Sequence, residues 1–317
     1  MIQAIITSIL FAMSAVSAGR STRLLGAGTA NLSRLVLATA CLALWAHVWG
    51  QGVTGIALPW LLLSGVVGFG FGDLALYASY PRIGPRLGVL LCLCLAAPFG
   101  AFAEWLWLGT RLTGYQIFWG ATILVGVSLA LAPDTRVASG ARTWALGIAF
   151  GVIAAIGQGG GAVLTRKAFD VAAQAGQHID GGTAAYQRIL GGLLLTIVVF
   201  FIHRWHKHAA APQMTINPGL PWRRAWPWVV ANALFGPAIG VAFFQWALAV
   251  APTGIVLAIT ATTPLVVIPF TMLLEGERPT RRSLLGGLLA VLGAAALAYK
   301  QPNLLVPHAS TLDRRGE

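Results

Sequence analysis

The chain has 317 residues, 57% of them hydrophobic and 9% charged, with a mean hydropathy of +0.77 and a formal net charge of +12. So little polar surface cannot cover a water-soluble globule of this length, which excludes the soluble classes and assigns the chain to a bilayer. The basic residues fall singly or in pairs between apolar runs, as juxtamembrane charges facing phospholipid headgroups do, and this placement argues against a nucleic-acid footprint.

Segments of roughly 17–25 mainly apolar residues cross a ~30 Å hydrocarbon core as helices. Ten such segments follow one another: 2–18, 29–49, 57–79, 86–108, 114–132, 143–164, 183–203, 225–249, 253–274 and 282–299. The first ends in the small residues of a signal peptide, Ala15, Ser17 and Ala18, but has no Lys or Arg before Arg20, so it reads as a retained membrane helix. Most connections are short and hold turn formers, such as Gly50-Gln51-Gly52 and Pro81-Arg82-Ile83-Gly84-Pro85. Two are longer, 165–182 and 204–224. The second contains His203, His206 and His208 among Arg and Lys, which reads as an interfacial basic loop rather than a metal site. Cys41, Cys92 and Cys94 lie inside apolar runs as small hydrophobes, and 301–317 is a polar tail.

The chain repeats itself. Gly109-Thr110-Arg111-Leu112-Thr113 aligns with Gly276-Glu277-Arg278-Pro279-Thr280, and the same shift pairs Pro85 with Pro252, Gly120 with Gly287 and Gly126 with Gly293. The division is a first five-helix repeat over 1–134 and a second over 140–300. An odd number of helices per half makes the second copy enter from the opposite side, so the expected fold is an all-α polytopic membrane protein of ten transmembrane helices in two inverted five-helix repeats. Such pairs enclose midplane sites in secondary transporters, and helices 3, 4, 8 and 9 with 1 and 6 are expected to line a central cavity.

Polar groups at membrane depth are costly and mark candidate sites. Asp73 lies well inside the third segment, where it can exchange protons, receive a cation or pair with Arg34. Arg34 and Arg188 sit one to two turns inside the second helix of each half. Either can snorkel to the headgroups, and if both turn inward they form an anion-attracting pair. Tyr77, Gln158, Tyr186, Asn232, Gln245 and Trp246 complete a candidate cavity lining for substrate binding or coupling. Glu104 and Glu275, near helix ends, read as solvated carboxylates. The glycines crowding the third, sixth and tenth helices read first as sites of close packing, and secondly as points where the third and sixth bend or slide. The twelve tryptophans mostly fall at segment ends, as interfacial anchors do. No phosphate loop, nucleophile elbow or His-Glu-x-x-His is present, so neither an enzyme nor direct ATP drive is expected, and no cofactor or metal is implied.

Three features carry a resemblance. The run from Pro264 through Glu275-Gly276-Glu277-Arg278-Pro279-Thr280 into the Gly-rich 284–293 segment is the most specific; an Arg early in the second helix of each half and Gly72-Asp73-Leu74-Ala75-Leu76-Tyr77 add to it. Together they resemble the EamA-type proteins of the drug/metabolite transporter superfamily, over residues 2 to about 299. Thr110 stands where the second half has Glu277, so that acid is not required symmetrically. The resemblance implies an inner-membrane secondary transporter of a small organic metabolite, an amino acid or related compound, commonly exported by alternating access. Nucleotide-linked or lipid-linked sugar phosphates are the alternative cargo, and a non-transporting scaffold or sensor the alternative role. Expected partners are the substrate, the phospholipid bilayer and coupling protons through Asp73, with no nucleic acid. Lys and Arg cluster in the odd-numbered connections, which by the positive-inside rule places both termini outside, whereas the resemblance implies termini inside.

Overall fold

The computed structural model describes residues 1–131, 140–208, 219–267 and 281–299, and among these every regular element is helical. There are ten helices: α1 (Ile2–Leu25), α2 (Ala27–Val48), α3 (Leu58–Ile83), α4 (Leu87–Leu108), α5 (Gly114–Leu131), α6 (Ala141–Gln174), α7 (Gly181–His208), α8 (Trp222–Val250), α9 (Thr253–Val267) and α10 (Arg281–Tyr299). Seven of them, α1–α4 and α6–α8, are long and apolar enough to cross a membrane; over the described residues α5, α9 and α10 are shorter apolar helices. Their outer faces carry large apolar side chains such as Leu44, Phe102, Val125, Leu194 and Val291. In a bilayer this is the lipid-facing surface.

Two boundaries differ from the sequence expectation. Arg20 and Arg23 belong to the last turns of α1, which runs to Leu25; Gly26 alone separates it from α2, with φ 78° and ψ 159°, a conformation open essentially to glycine. The expected connection 165–182 is mostly helix, because α6 continues to Gln174 and carries Arg166 and Lys167 within it. The repeated Gly-Glu-Arg motif at 276–278, Glu275 and the tail 301–317 lie outside the described residues, as do the side chains of His203, His206 and His208.

Helical backbone is continuous from Asp73 to Leu108, yet the chain doubles back there: a Cβ on Gly88 would lie 2.5 Å from Ser79 Oγ, and Ala75 shares an apolar cluster with Cys92. α5 and α10 are likewise antiparallel, with Tyr115 Oη donating to the Ala296 carbonyl at 2.9 Å and Gly126 packed on Gly286. Successive helices therefore alternate, giving a near end with Met1 and the α2–α3, α4–α5, α6–α7 and α8–α9 connections, and a far end with Gly26 and the α3–α4 connection.

Glycine explains how closely the helices approach. A Cβ on Gly65 of α3 would lie 1.6 Å from the Arg188 carbonyl oxygen of α7, and one on Gly191 would lie 2.1 Å from the Leu62 carbonyl. Between α6 and α3, a Cβ on Gly157 would meet Gly72 Cα at 2.7 Å. Close packing is thus their first role. The third helix also departs from regular geometry: Val66–Gly72 forms a π-helical stretch, matched in α8 by Leu234–Ala238. In α8 the cause is Pro237, which has no N–H for the helical ladder, so the wider turn accommodates its ring.

Candidate binding site

Both widened turns contribute lining residues to a cavity of about 110 Å³. Its walls come from α1 (Ser14), α2 (Arg34), α3 (Phe69, Asp73, Tyr77), α4 (Cys92), α6 (Gln158), α7 (Arg188), α8 (Pro237) and α9 (Thr263). Helices 1, 3, 4, 6, 8 and 9 take part as expected, and α2 and α7 join them through their arginines. Among the described residues α5 and α10 contribute no lining residue.

Neither arginine snorkels: Arg34 is 7% and Arg188 1% exposed. Arg34 forms an ion pair with Asp73, receives orientation from Asn31 Oδ1 at 2.9 Å from its Nε, and lies 5.0 Å over the Tyr77 ring. Asp73 is thus held at the cavity wall by a charged partner, with no lipid contact needed to explain its depth. Behind that wall Asn232 is fully buried, donating to Tyr77 Oη at 3.4 Å and accepting from Ser14 Oγ at 2.8 Å, which ties α8 to α3 and α1.

Arg188 differs in kind. Its guanidinium is 5.0 Å from the Phe69 ring centroid and 5.7 Å from that of Phe244, and a Cβ on Gly68 or Gly161 would lie 2.5 or 3.0 Å from Nη2. The two glycines therefore make room for it. Nε, Nη1 and Nη2 are all buried without a hydrogen-bond acceptor among the described residues. Burying an uncompensated cation costs several kcal/mol, whereas a cation–π contact returns ~0.5–2 kcal/mol. The rings alone do not balance that cost.

The remaining candidates separate. Gln158 lines the cavity, but Tyr186, Gln245 and Trp246 do not. Tyr186 packs edge-on against His47 with ring centroids 5.3 Å apart, Trp246 against Phe243 at 5.2 Å, and Gln245 is fully buried with both amide atoms unpartnered among the described residues.

Glu104 corrects the sequence reading outright. It is 1% exposed rather than solvated, its Oε1 lies 3.3 Å from Arg166 Nε, and its Oε2 accepts the Thr253 N–H at the start of α9 at 2.6 Å. Arg166 also donates to the Leu248 carbonyl at 2.8 Å, at the end of α8. The node joins α4, α6, α8 and α9 at the near end, where a carboxylate suits a helix N-terminus and a cation suits a helix C-terminus. Two more residues escaped the sequence: Gln187, which donates to the Gly52 and Thr54 carbonyls at 3.0 and 2.9 Å, and Asp180, which caps α7 through the Gly182 and Thr183 amides. Burial pushes the Asp180 carboxyl up, but hydrogen bonds from Thr183, Trp45 and Gly182 outweigh it and hold the group below the usual carboxylate range.

Comparison with known proteins adds the family. The profile of the EamA-like transporter family matches residues 145–299. This stretch is similar to the EamA-like transporters. No curated protein matches the chain significantly. Chains of solved structures do, 29 of them; one, described only as "Crystal structure of protein", has a TM-score of 0.66 and 16% identity, covering 95% of this chain and 98% of its own length. At that identity the likeness is one of fold. The match to the EamA-like family over 145–299 and the seven helices long and apolar enough to cross a membrane make the chain similar to multi-pass membrane transporters of the drug/metabolite type.

Proposed function

We propose that this protein is an EamA-type inner-membrane secondary transporter that exports a small organic metabolite, an amino acid or related compound, by alternating access. The observation that carries the reading is a one-sided cavity with a charged lining drawn from both halves of the chain. The cavity runs from Phe69 and Arg188 to Tyr80 and Val89 beside the α3–α4 connection. Toward the near end the helices are packed shut, by Gly65 on the Arg188 carbonyl, by Ser64 Oγ bonded to the Gly161 carbonyl at 2.6 Å and by the Glu104–Arg166 node. A site packed shut toward one end and extending toward the other is what one state of such a cycle requires.

Two inverted five-helix repeats, 1–134 and 140–300, accord with this reading. The shift that lays Gly109 on Gly276 also brings the π-helical stretch of α3 onto that of α8, and Arg34 and Arg188 stand at equal offsets from the starts of α2 and α7. A polar lining favours a carrier over a scaffold. Phosphorylated cargo is less well served, because Arg34 is committed to Asp73 and one guanidinium remains where a dianion calls for two. Proton coupling would act at Asp73, whose neutralisation releases Arg34. The far end carries the basic residues Arg20, Arg23, Arg82, Arg223 and Arg224, so the charge rule places it in the cytoplasm with the cavity facing inward, as export requires. Strong activity of a cytoplasm-dependent reporter fused to the C-terminus would overturn that orientation. Reconstitution into liposomes with a panel of labelled amino acids and related metabolites tests the function: saturable uptake of at least one supports it, and uptake of none counts against it.

A further inference from the structure

We propose that Arg188 is the seat of a carboxylate, so that the cargo is a small organic monoanion with an apolar body, bound acid-first at the deep end of the cavity. The inference rests on the transporter reading for what happens after binding; the seat itself stands on the geometry. Three cavity-lining residues carry charge: two guanidinium cations and one carboxylate, leaving one positive charge over. The carboxylate of Asp73 is within electrostatic reach of Arg188 yet bonds Arg34. Arg188 therefore keeps its whole fork of donors unspent among the described residues, in a cradle bounded by Gly68, Gly161, Phe69 and Phe244.

A planar guanidinium with free parallel donors matches a carboxylate in bidentate fashion, and burial of the pair away from water strengthens each bond. The rest of the wall sets the apolar Phe11, Leu76, Leu93 and Val241 beside scattered hydroxyls of Ser14, Tyr77, Tyr80 and Thr263, and its other cation, Arg34, is paired with Asp73. It suits a largely apolar body and leaves a second acid without a free cation. Asp73 and Arg34 then serve as a charge-neutral wall in this state, with a single cation reading a single anion.

The test is binding by the purified full-length protein in mild detergent, read by calorimetry with sodium butyrate and sodium benzoate, their neutral isosteres butyramide and benzamide, and sodium chloride and phosphate. Each acid should bind at least tenfold tighter than its amide. The preference should vanish in Arg188→Gln and survive, with weaker binding, in Arg188→Lys, which keeps a point charge without the fork. Equal binding of acid and amide by the native protein, which needs no variant, overturns the proposal. So does an acid preference retained in Arg188→Gln, or no acid binding more tightly than about 10 mM. Chloride or phosphate competing as well as benzoate overturns the organic body. Acid-selective binding without uptake in liposomes would uphold the seat and count against transport; uptake of neutral metabolites without acid preference would do the reverse.

Discussion

Glu104→Ala isolates the node that closes the near end. The substitution removes the partner of Arg166 and the acceptor of the Thr253 N–H, both formed by a side chain 1% exposed. Breaking a buried ion pair costs ~3–5 kcal/mol, and a hydrogen bond to a charged group ~1.5–3 kcal/mol, partly counted in the first figure. Arg166 is 17% exposed at its side chain and keeps the Leu248 carbonyl at 2.8 Å, so it is not wholly stranded and the low end applies, ~3 kcal/mol. Glu104→Gln preserves an acceptor for Thr253 while deleting the charge, and should cost about half as much. Thermal unfolding in mild detergent reads the ranking. At roughly 2 °C per kcal/mol for a chain of this size, alanine should lower the midpoint by about 6 °C and glutamine by about 3 °C. A midpoint for Glu104→Ala within about 1 °C of the native protein would refute the node as a structural clamp.

Gly65→Ala forces a methyl to 1.6 Å from the Arg188 carbonyl oxygen, so α3 and α7 must separate. It should destabilise by at least ~1–3 kcal/mol, while Gly287→Ala, which meets nothing within 4 Å on α10, should be neutral or gain ~0.5–1 kcal/mol; equal midpoints for the two would deny backbone packing at Gly65. Asp73→Asn keeps an acceptor for Arg34 but cannot ionise, so pH-dependent uptake should disappear with the fold intact; unchanged proton dependence removes Asp73 from coupling. For Asp180 the folded carboxyl sits below its ordinary range, so its contribution is present above ~3.9 and is lost as the pH falls through the lower folded value. The stability difference between the native protein and Asp180→Ala should accordingly hold steady from about pH 5 to 8 and shrink below about pH 4, and a difference that grows on acidification would reverse the sign.

Helix number and order were legible because apolar length is a direct consequence of bilayer thickness, and over the described residues each of the ten expected segments falls on a helix. Charges misled at the boundaries. Arg166 and Lys167 read as loop because a cation signals an interface, but Arg166 is neutralised inside the bundle by Glu104, a pairing between α4 and α6 that no local pattern announces. The site was legible where a charge stood deep in an apolar run, as at Asp73, Arg34 and Arg188. It was less so for uncharged polar groups: α7 and α8 are apolar nearly all round, so nothing in the sequence tells which face of the helix holds Tyr186, Gln245 or Trp246. Of the partners that orient the site, Asn31 lies one turn from Arg34 on the same helix, whereas Ser14 and Asn232 act through contacts between distant helices.

The central claim is that this cavity carries cargo through the membrane, and counterflow in proteoliposomes tests it most directly. Vesicles loaded with an unlabelled metabolite and diluted into labelled tracer should accumulate the tracer transiently with the native protein. With Arg188→Gln, shown to be folded by its unfolding midpoint, they should stay at the level of protein-free vesicles. Tracer accumulation by Arg188→Gln equal to that of the native protein would contradict the account.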